Sequence, residues 1–327
     1  MPLPSAFPAA CVRRMAGWIV AGSAAGLIAA AAADTGEPAR PLPPVPALDP
    51  ARVALGRTLF RDVRLSGNGR TSCLHCHDPA HGGASPGPAL GASGRMTDTD
   101  VPTVYNAALN FRQFWDGRAA SLEEQVDHVV RSPVEMASTW DGVMRRLSGD
   151  PALRAAFASA YPDGLTPANI RQAIATYERT LLTPDSRFDR YLRGESAALD
   201  AGELRGWQSF KRYGCVACHQ GVNLGGNMFQ KFGVMLDRPP ARPGGSSPDL
   251  GRYRVTGLEA DRGVFKVPGL RNVALTAPYF HDGSAPTLDA AVETMFRLQL
   301  GREAPASDRA DIVAFLRTLT GLPPATR

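Results

Sequence analysis

Two short segments carry the residues most able to do chemistry, Cys73-Leu74-His75-Cys76-His77 and Cys215-Val216-Ala217-Cys218-His219. In each, one helical turn brings both thiols to the same side, and the imidazole of the next residue can point at a shared centre. Cys-x-x-Cys-His is the attachment pattern of c-type haem, with two thioether links and a proximal histidine on the iron. A zinc or redox Cys-x-x-Cys is the plainer alternative, and in an oxidising compartment two disulfides are another. The histidine after each pair argues against both, as does the absence of further cysteines apart from Cys11 near the N-terminus. The expected cofactors are therefore two covalently bound haem c groups. One sits at Cys73 and Cys76 with His77 as iron ligand, the other at Cys215 and Cys218 with His219. His75, between the first two thiols, is expected to face solvent.

A haem with both axial positions filled by side chains passes electrons, whereas an open distal side admits peroxide or oxygen. The sixth ligands thus decide what each centre does, and an internal repeat lets the two halves be compared. Shifting the chain by 166 residues lays VPTVYNAALNFRQFWDGRAASLEEQV (101–126) over VPGLRNVALTAPYFHDGSAPTLDAAV (267–292) without a gap, with eleven of 26 positions identical. Each copy follows a haem motif, which predicts a duplicated haem domain. Past the repeat the second half reaches Met295, and a thioether opposite histidine raises a haem's reduction potential. Core packing is the commoner fate of such a methionine; Met228 and Met235 compete for the role, and Tyr279 and Tyr253 remain if Met295 is core.

At the matching place the first half has Val129, which cannot ligate iron. Six residues later comes Glu135, a carboxylate able to move a proton between the two oxygens of a peroxide. Taken alone, Glu135 reads more readily as a surface residue than as a catalyst. His128 and His81 are the other first-half histidines outside the motif that can be considered for the first haem's sixth position. Trp115 and His281 occupy equivalent repeat positions, so His281 is expected near the edge of the second haem.

These features resemble the bacterial dihaem cytochrome c peroxidase family, which includes maturation enzymes of the MauG type. The resemblance runs over roughly residues 50–321 and is carried by Leu65-Ser66-Gly67, Phe114-Trp115-Asp116-Gly117-Arg118, Pro133-Val134-Glu135-Met136, Thr183-Pro184-Asp185-Ser186-Arg187-Phe188-Asp189 and Leu270-Arg271-Asn272-Val273-Ala274-Leu275-Thr276-Ala277-Pro278-Tyr279-Phe280-His281. It implies Glu135 as the peroxidatic acid–base, Gln125 as a hydrogen-bonder in the pocket, Trp115 as the aromatic bridge between haems and Met295 as the second haem's axial ligand. It also implies a calcium site at Asp100 and the backbone oxygens of Thr276 and Pro278. The implied activity is reduction of hydrogen peroxide to water with electrons from a small c-type cytochrome or cupredoxin, and a homodimer is a compatible assembly.

One departure matters. Family members that need reductive activation carry a distal histidine where this chain has Ser93, which implies a first haem open without activation, as in the MauG branch. That branch replaces the axial methionine by tyrosine, whereas Met295 is retained here. Two other readings stay open: a MauG-like enzyme that oxidises residues of a partner protein, and a non-catalytic dihaem electron-transfer cytochrome.

The elements that must hold these residues are mostly helical. Apolar periodicity predicts helices over 121–130, 166–182, 200–213, 287–298 and 308–319, separated by long Gly- and Pro-rich loops, with no convincing alternating strands. Arg13 and Arg14 followed by an uncharged run ending in Ala31-Ala32-Ala33 predict a cleavable signal peptide over 1–33 and a periplasmic protein. Residues 34–50 are too rich in proline for helix or sheet and are expected to form an extended linker. An N-terminal peroxidatic cytochrome c domain over 51–190 and a C-terminal electron-transfer cytochrome c domain over 191–327 should follow. The formal charge is +5, or +3 once a leader with two arginines and no acids is removed, too mild to imply nucleic acid.

Overall fold

The helices of the computed structural model, which describes residues 36–237 and 250–321, begin where the capping chemistry says they should. In chain order they are α1 (Pro50–Phe60), α2 (Cys73–Cys76), α3 (Leu122–Arg131), α4 (Trp140–Leu147), α5 (Pro151–Ala160), α6 (Pro167–Glu178), α7 (Arg187–Leu192), α8 (Ala201–Arg212), α9 (Tyr253–Thr256), α10 (Leu288–Leu300) and α11 (Ala306–Arg317). Asp49, Ser121, Thr166, Asp200 and Thr287 each cap a helix by accepting from its first free amides. Proline at the start of α1, α5 and α6 adds a fixed φ where no amide is needed. The only sheet among the described residues is a two-stranded antiparallel ribbon, β1 (Phe229–Lys231) on β2 (Val264–Lys266).

From Pro38 onward the chain packs as one unit around two hydrophobic cores. Leu59, Val143, Leu147, Phe157 and Ile170 centre the first, whose members run from Leu55 to Leu181. Phe188, Trp207, Phe315 and Leu319 centre the second. Phe188 already belongs to the second core, so the packing changes over after Leu181, a few residues before the expected boundary at 190.

Each core rests on a crossing of two helices at a glycine. A Cβ at Gly56 of α1 would lie 1.9 Å from the Ala173 carbonyl oxygen of α6, and one at Gly206 of α8 would lie 1.9 Å from that of Asp311 in α11. Only a residue without a side chain lets the backbones approach so closely.

The backbone repeats at the offset of 166. Asn106 and Asn272 both take left-handed φ (59° and 62°), as do Phe114 and Phe280 (67° and 72°). The bridge Gln113–Ala119 has its counterpart in Tyr279–Ala285. Asn106 receives Thr183 N–H on its Oδ1, and Asn272 receives Gly321 N–H, at 3.0 Å each.

The proline-rich stretch holds no helix from Pro38 to Asp49, yet it is no loose tether there. Ala39 and Leu42 are buried, Ala39 bridges Gly221, and the Leu42 amide donates to Asp189 at 2.9 Å. The expected signal peptide lies outside the described residues.

Candidate di-haem site

Cys73–Cys76 forms a single helical turn, and His77 N–H closes it on the Cys73 carbonyl at 3.0 Å. The second motif makes the equivalent turn over Cys215–Ala217, closed by His219 N–H on Cys215 at 2.9 Å. All four cysteines are free thiols, so neither disulfide of the alternative reading is present. His75 is exposed and caps its own turn through Ser72.

His77 and His219 are treated alike. Nδ1 of His77 faces the Gly83 carbonyl at 3.2 Å, and Nδ1 of His219 faces that of Leu224 at 3.2 Å. Spending Nδ1–H on a carbonyl leaves the Nε2 lone pair for a metal. Burial pushes both imidazoles down to about 4, so they are neutral at physiological pH, the form that binds iron.

Each histidine looks into its own cavity. The first, about 790 Å³, is lined by Cys73, Cys76 and His77; the second, about 450 Å³, by Cys215, Cys218 and His219. Both lie in the range of cofactor sites. Free thiols, a neutral imidazole and a largely apolar space fit a thioether-linked haem in each.

One face of a helix lines each cavity. In α3 it is Leu122, Gln125, Val126, Val129 and Val130, and in α10 it is Leu288, Ala291, Val292, Met295 and Phe296. These are the i, i+3, i+4, i+7, i+8 positions of a helix, and the two sets correspond at the 166 offset. Met295 therefore faces the His219 cavity where Val129 faces that of His77. Tyr279 also lines the second cavity, whereas Met228, Met235 and Tyr253 line neither.

Glu135 is brought into the first cavity by the way α3 ends. Ser132 caps its C-terminus, and the Ser132 hydroxyl accepts from Glu135 N–H at 3.1 Å. Met136, buried in the first core, anchors the turn and accepts from Gly67 N–H at 2.7 Å. Burial raises the Glu135 carboxyl, opposed by the Arg118 charge, the Ser132 hydrogen bond and His128. Ser93 is exposed and lies outside the cavity lining; its loop is fastened to the Glu135 segment by Ala92 N–H on the Glu135 carbonyl at 2.6 Å and the Ser93 hydroxyl on that of Val134 at 3.1 Å. His81 is exposed and paired with Asp78, His128 is exposed beside Glu124, and neither lines the cavity.

Between the cavities stands a small aromatic cluster. Trp115 and His281 line both, in edge contact at 6.1 Å, and Phe265 stacks on His281 at 4.0 Å. The backbone locks them: Trp115 Nε1–H donates to the Asp100 carbonyl at 2.9 Å, and Asp100 N–H donates to that of His281 at 2.8 Å.

Asp100 is buried and its Oδ1 has no hydrogen-bond partner among the described residues. Burial pushes its carboxyl up to about 7 against the pull of the Val101 and Gly87 amides. An orphaned buried carboxylate oxygen suits a hard cation, and Thr276 and Pro278 line the same cavity as Asp100.

Sequence reasoning missed Glu178. It lies at the end of α6, lines the first cavity, is buried, and its Oε2 has no hydrogen-bond partner among the described residues. Burial pushes it up to about 8. Only the fold turns this helical glutamate inward; its place in the heptad-like pattern gives no warning.

The family profile described as di-haem cytochrome c peroxidase matches residues 50–197. A cytochrome c peroxidase of Escherichia coli is 46% identical over 288 residues, covering 88% of this chain and 62% of that protein. The cytochrome c551 peroxidase of Nitrosomonas europaea is 44% identical over 286 residues, 86% of this chain and 84% of that one. This chain belongs to the di-haem cytochrome c peroxidase family. The family's enzymes are oxidoreductases that act on peroxide. Among solved structures, a MauG-like protein associated with microbial copper homeostasis superposes with a TM-score of 0.73 at 29% identity, covering 86% of this chain and 93% of that one.

Proposed function

We propose that the chain is a periplasmic peroxidase that reduces hydrogen peroxide to two waters, using two protons and two electrons from a small c-type cytochrome or cupredoxin. The observation that carries this reading is the asymmetry of the two cavities: Met295 lines the cavity of His219, whereas Val129 and Glu135 line that of His77. In this reading the two halves descend from one duplicated haem domain, with the first reacting and the second relaying electrons. The leader over 1–33 would deliver the chain to the periplasm.

Haem held by Cys73, Cys76 and His77 would supply the iron that cleaves the O–O bond. Glu135 then has one task, to take a proton from the inner peroxide oxygen and return it to the outer one, which leaves as water. A carboxyl raised by burial is suited to both halves of that transfer. Gln125, on the same face of α3, orients the bound peroxide by hydrogen bonding. Trp115 spans the interval between the cavities, and Cys215, Cys218, His219 and Met295 hold the second haem for electron entry. Asp100, with the carbonyls of Thr276 and Pro278, would hold calcium at the wall the cavities share.

Ser93, standing where a distal histidine would sit and tied into the loop that fastens Glu135, supports a first site that is open without prior reduction. Electron paramagnetic resonance of the oxidised protein as isolated tests this. One high-spin and one low-spin ferric signal are expected. Two low-spin signals, with reaction only after a reductant is added, would overturn it. Oxidation of reduced cytochrome c by peroxide in steady state separates this reading from a MauG-like maturase or a simple electron carrier.

A further inference from the structure

Two cations line the cavity of His219 and Met295, and their surroundings differ. Arg271 is fully buried and already paired with Asp189 at 2.8 Å, and it also donates to the carbonyls of Val222 and Arg40. Lys266 closes β2 and is 6% exposed. Its amide donates to the Trp115 carbonyl at 2.7 Å, but among the described residues its ammonium has neither an ion pair nor a hydrogen bond. Loss of water alone pushes it down to about 8, since no carboxylate stands close enough to hold it up. A lysine withdrawn from water without a partner is costly, and buried charges are as a rule paired or bound to a ligand.

The register of the repeat sharpens the point. Lys266 stands at the place that Asp100 holds in the first half, one residue before the matching Val-Pro. Both are buried and both line the second cavity, yet one is an acid and the other a base. Asp100 lines the first cavity as well, whereas Lys266 lines only the second. A partner suited to Lys266 is anionic and fixed within reach of the second cavity. A haem c fixed at Cys215 and Cys218 brings two propionate carboxylates into this cavity.

We propose that Lys266 is the counter-cation of a propionate on the second haem, and that its charge raises that haem's reduction potential. The proposal rests on the di-haem reading. A fixed positive charge in a poorly solvated cavity favours the state with one more electron, which is the state an electron-entry haem must reach. By the same token it tilts electron transfer from an external donor toward the chain.

The test is a spectroelectrochemical titration of the haem-loaded wild type, Lys266→Gln and Lys266→Arg. The Gln variant should bind the electron at the His219 haem about tenfold more weakly, a fall of about 59 mV for one electron, and Arg should stay near wild type. An unchanged midpoint in Lys266→Gln with both haems attached would overturn the proposal. If Gln and a further variant, Lys266→Met, fail to take up the second haem while Arg loads normally, the need for charge is upheld. If Arg fails as they do, the residue serves shape and the proposal falls. Fewer than two thioether-linked haems in the wild type would instead overturn the di-haem reading, and a pyridine haemochrome assay shows that before Lys266 is touched.

Discussion

Trp115 and His281 occupy the same place in the two copies of the repeat and meet each other, ring to ring at 6.1 Å, between the two cavities. The contact is held from both sides, since Asp100 accepts from the indole with its carbonyl and donates its amide to the His281 carbonyl. In the proposed mechanism the indole carries electrons between the centres. Trp115→Ala should slow the transfer that follows reaction with peroxide by at least an order of magnitude, measured by stopped-flow absorbance, while both haem spectra in the resting protein stay as they are. Equal rates would remove Trp115 from the path.

Asp100 carries a buried carboxylate oxygen with no hydrogen-bond partner among the described residues. If calcium is its partner, the haem-loaded protein stripped with a chelator should take up about one calcium per chain in a calorimetric titration, and Asp100→Ala should take up none. Equal uptake by the variant would place the ion elsewhere.

Glu178 gives a stability that depends on pH in a stated direction. Its carboxyl is raised to about 8 in the folded protein from an ordinary value of 4.5, so the folded state holds the proton more tightly than the unfolded state does. The stability this proton confers is whole below pH about 4.5 and is lost as pH rises through about 8. Glu178→Gln, which stays neutral, should gain on the wild type over that window by up to about 1.4 kcal/mol per pH unit. Denaturant titrations of the haem-loaded proteins at pH 5 and pH 8 read the difference, and a constant gap between them would contradict the assignment.

The crossing at Gly206 brings α8 against the Asp311 carbonyl, with no room for a methyl group. Gly206→Ala must push the helices apart, at a cost of about 1–3 kcal/mol. A midpoint within error of wild type in chemical unfolding would mean that the crossing is looser than the 1.9 Å approach implies.

Much of this was legible in the residues. The two Cys-x-x-Cys-His segments needed no tertiary information, and all five expected helices are present with ends shifted by at most a few residues. Aligning the repeat placed Val129 opposite Met295, and the faces of α3 and α10 keep that correspondence in space. What the sequence could not carry was burial without a partner. Glu178 and Lys266 look like ordinary charged residues until the fold encloses them. The ribbon Phe229–Lys231 on Val264–Lys266 has strands of three residues, too short to show alternation. The packing of Ala39 and Leu42 was hidden by prolines that spoke only for an extended backbone.

Glu135 decides the account, because in the proposed function it is the side chain of the first cavity that moves the proton. Glu135→Gln keeps shape and hydrogen bonding but cannot take up and return a proton. With two haems attached and both resting spectra unchanged, its turnover of peroxide with reduced cytochrome c should fall at least a hundredfold. Wild-type turnover in that variant would contradict the assignment of the His77 cavity as the reacting site with Glu135 as its acid–base.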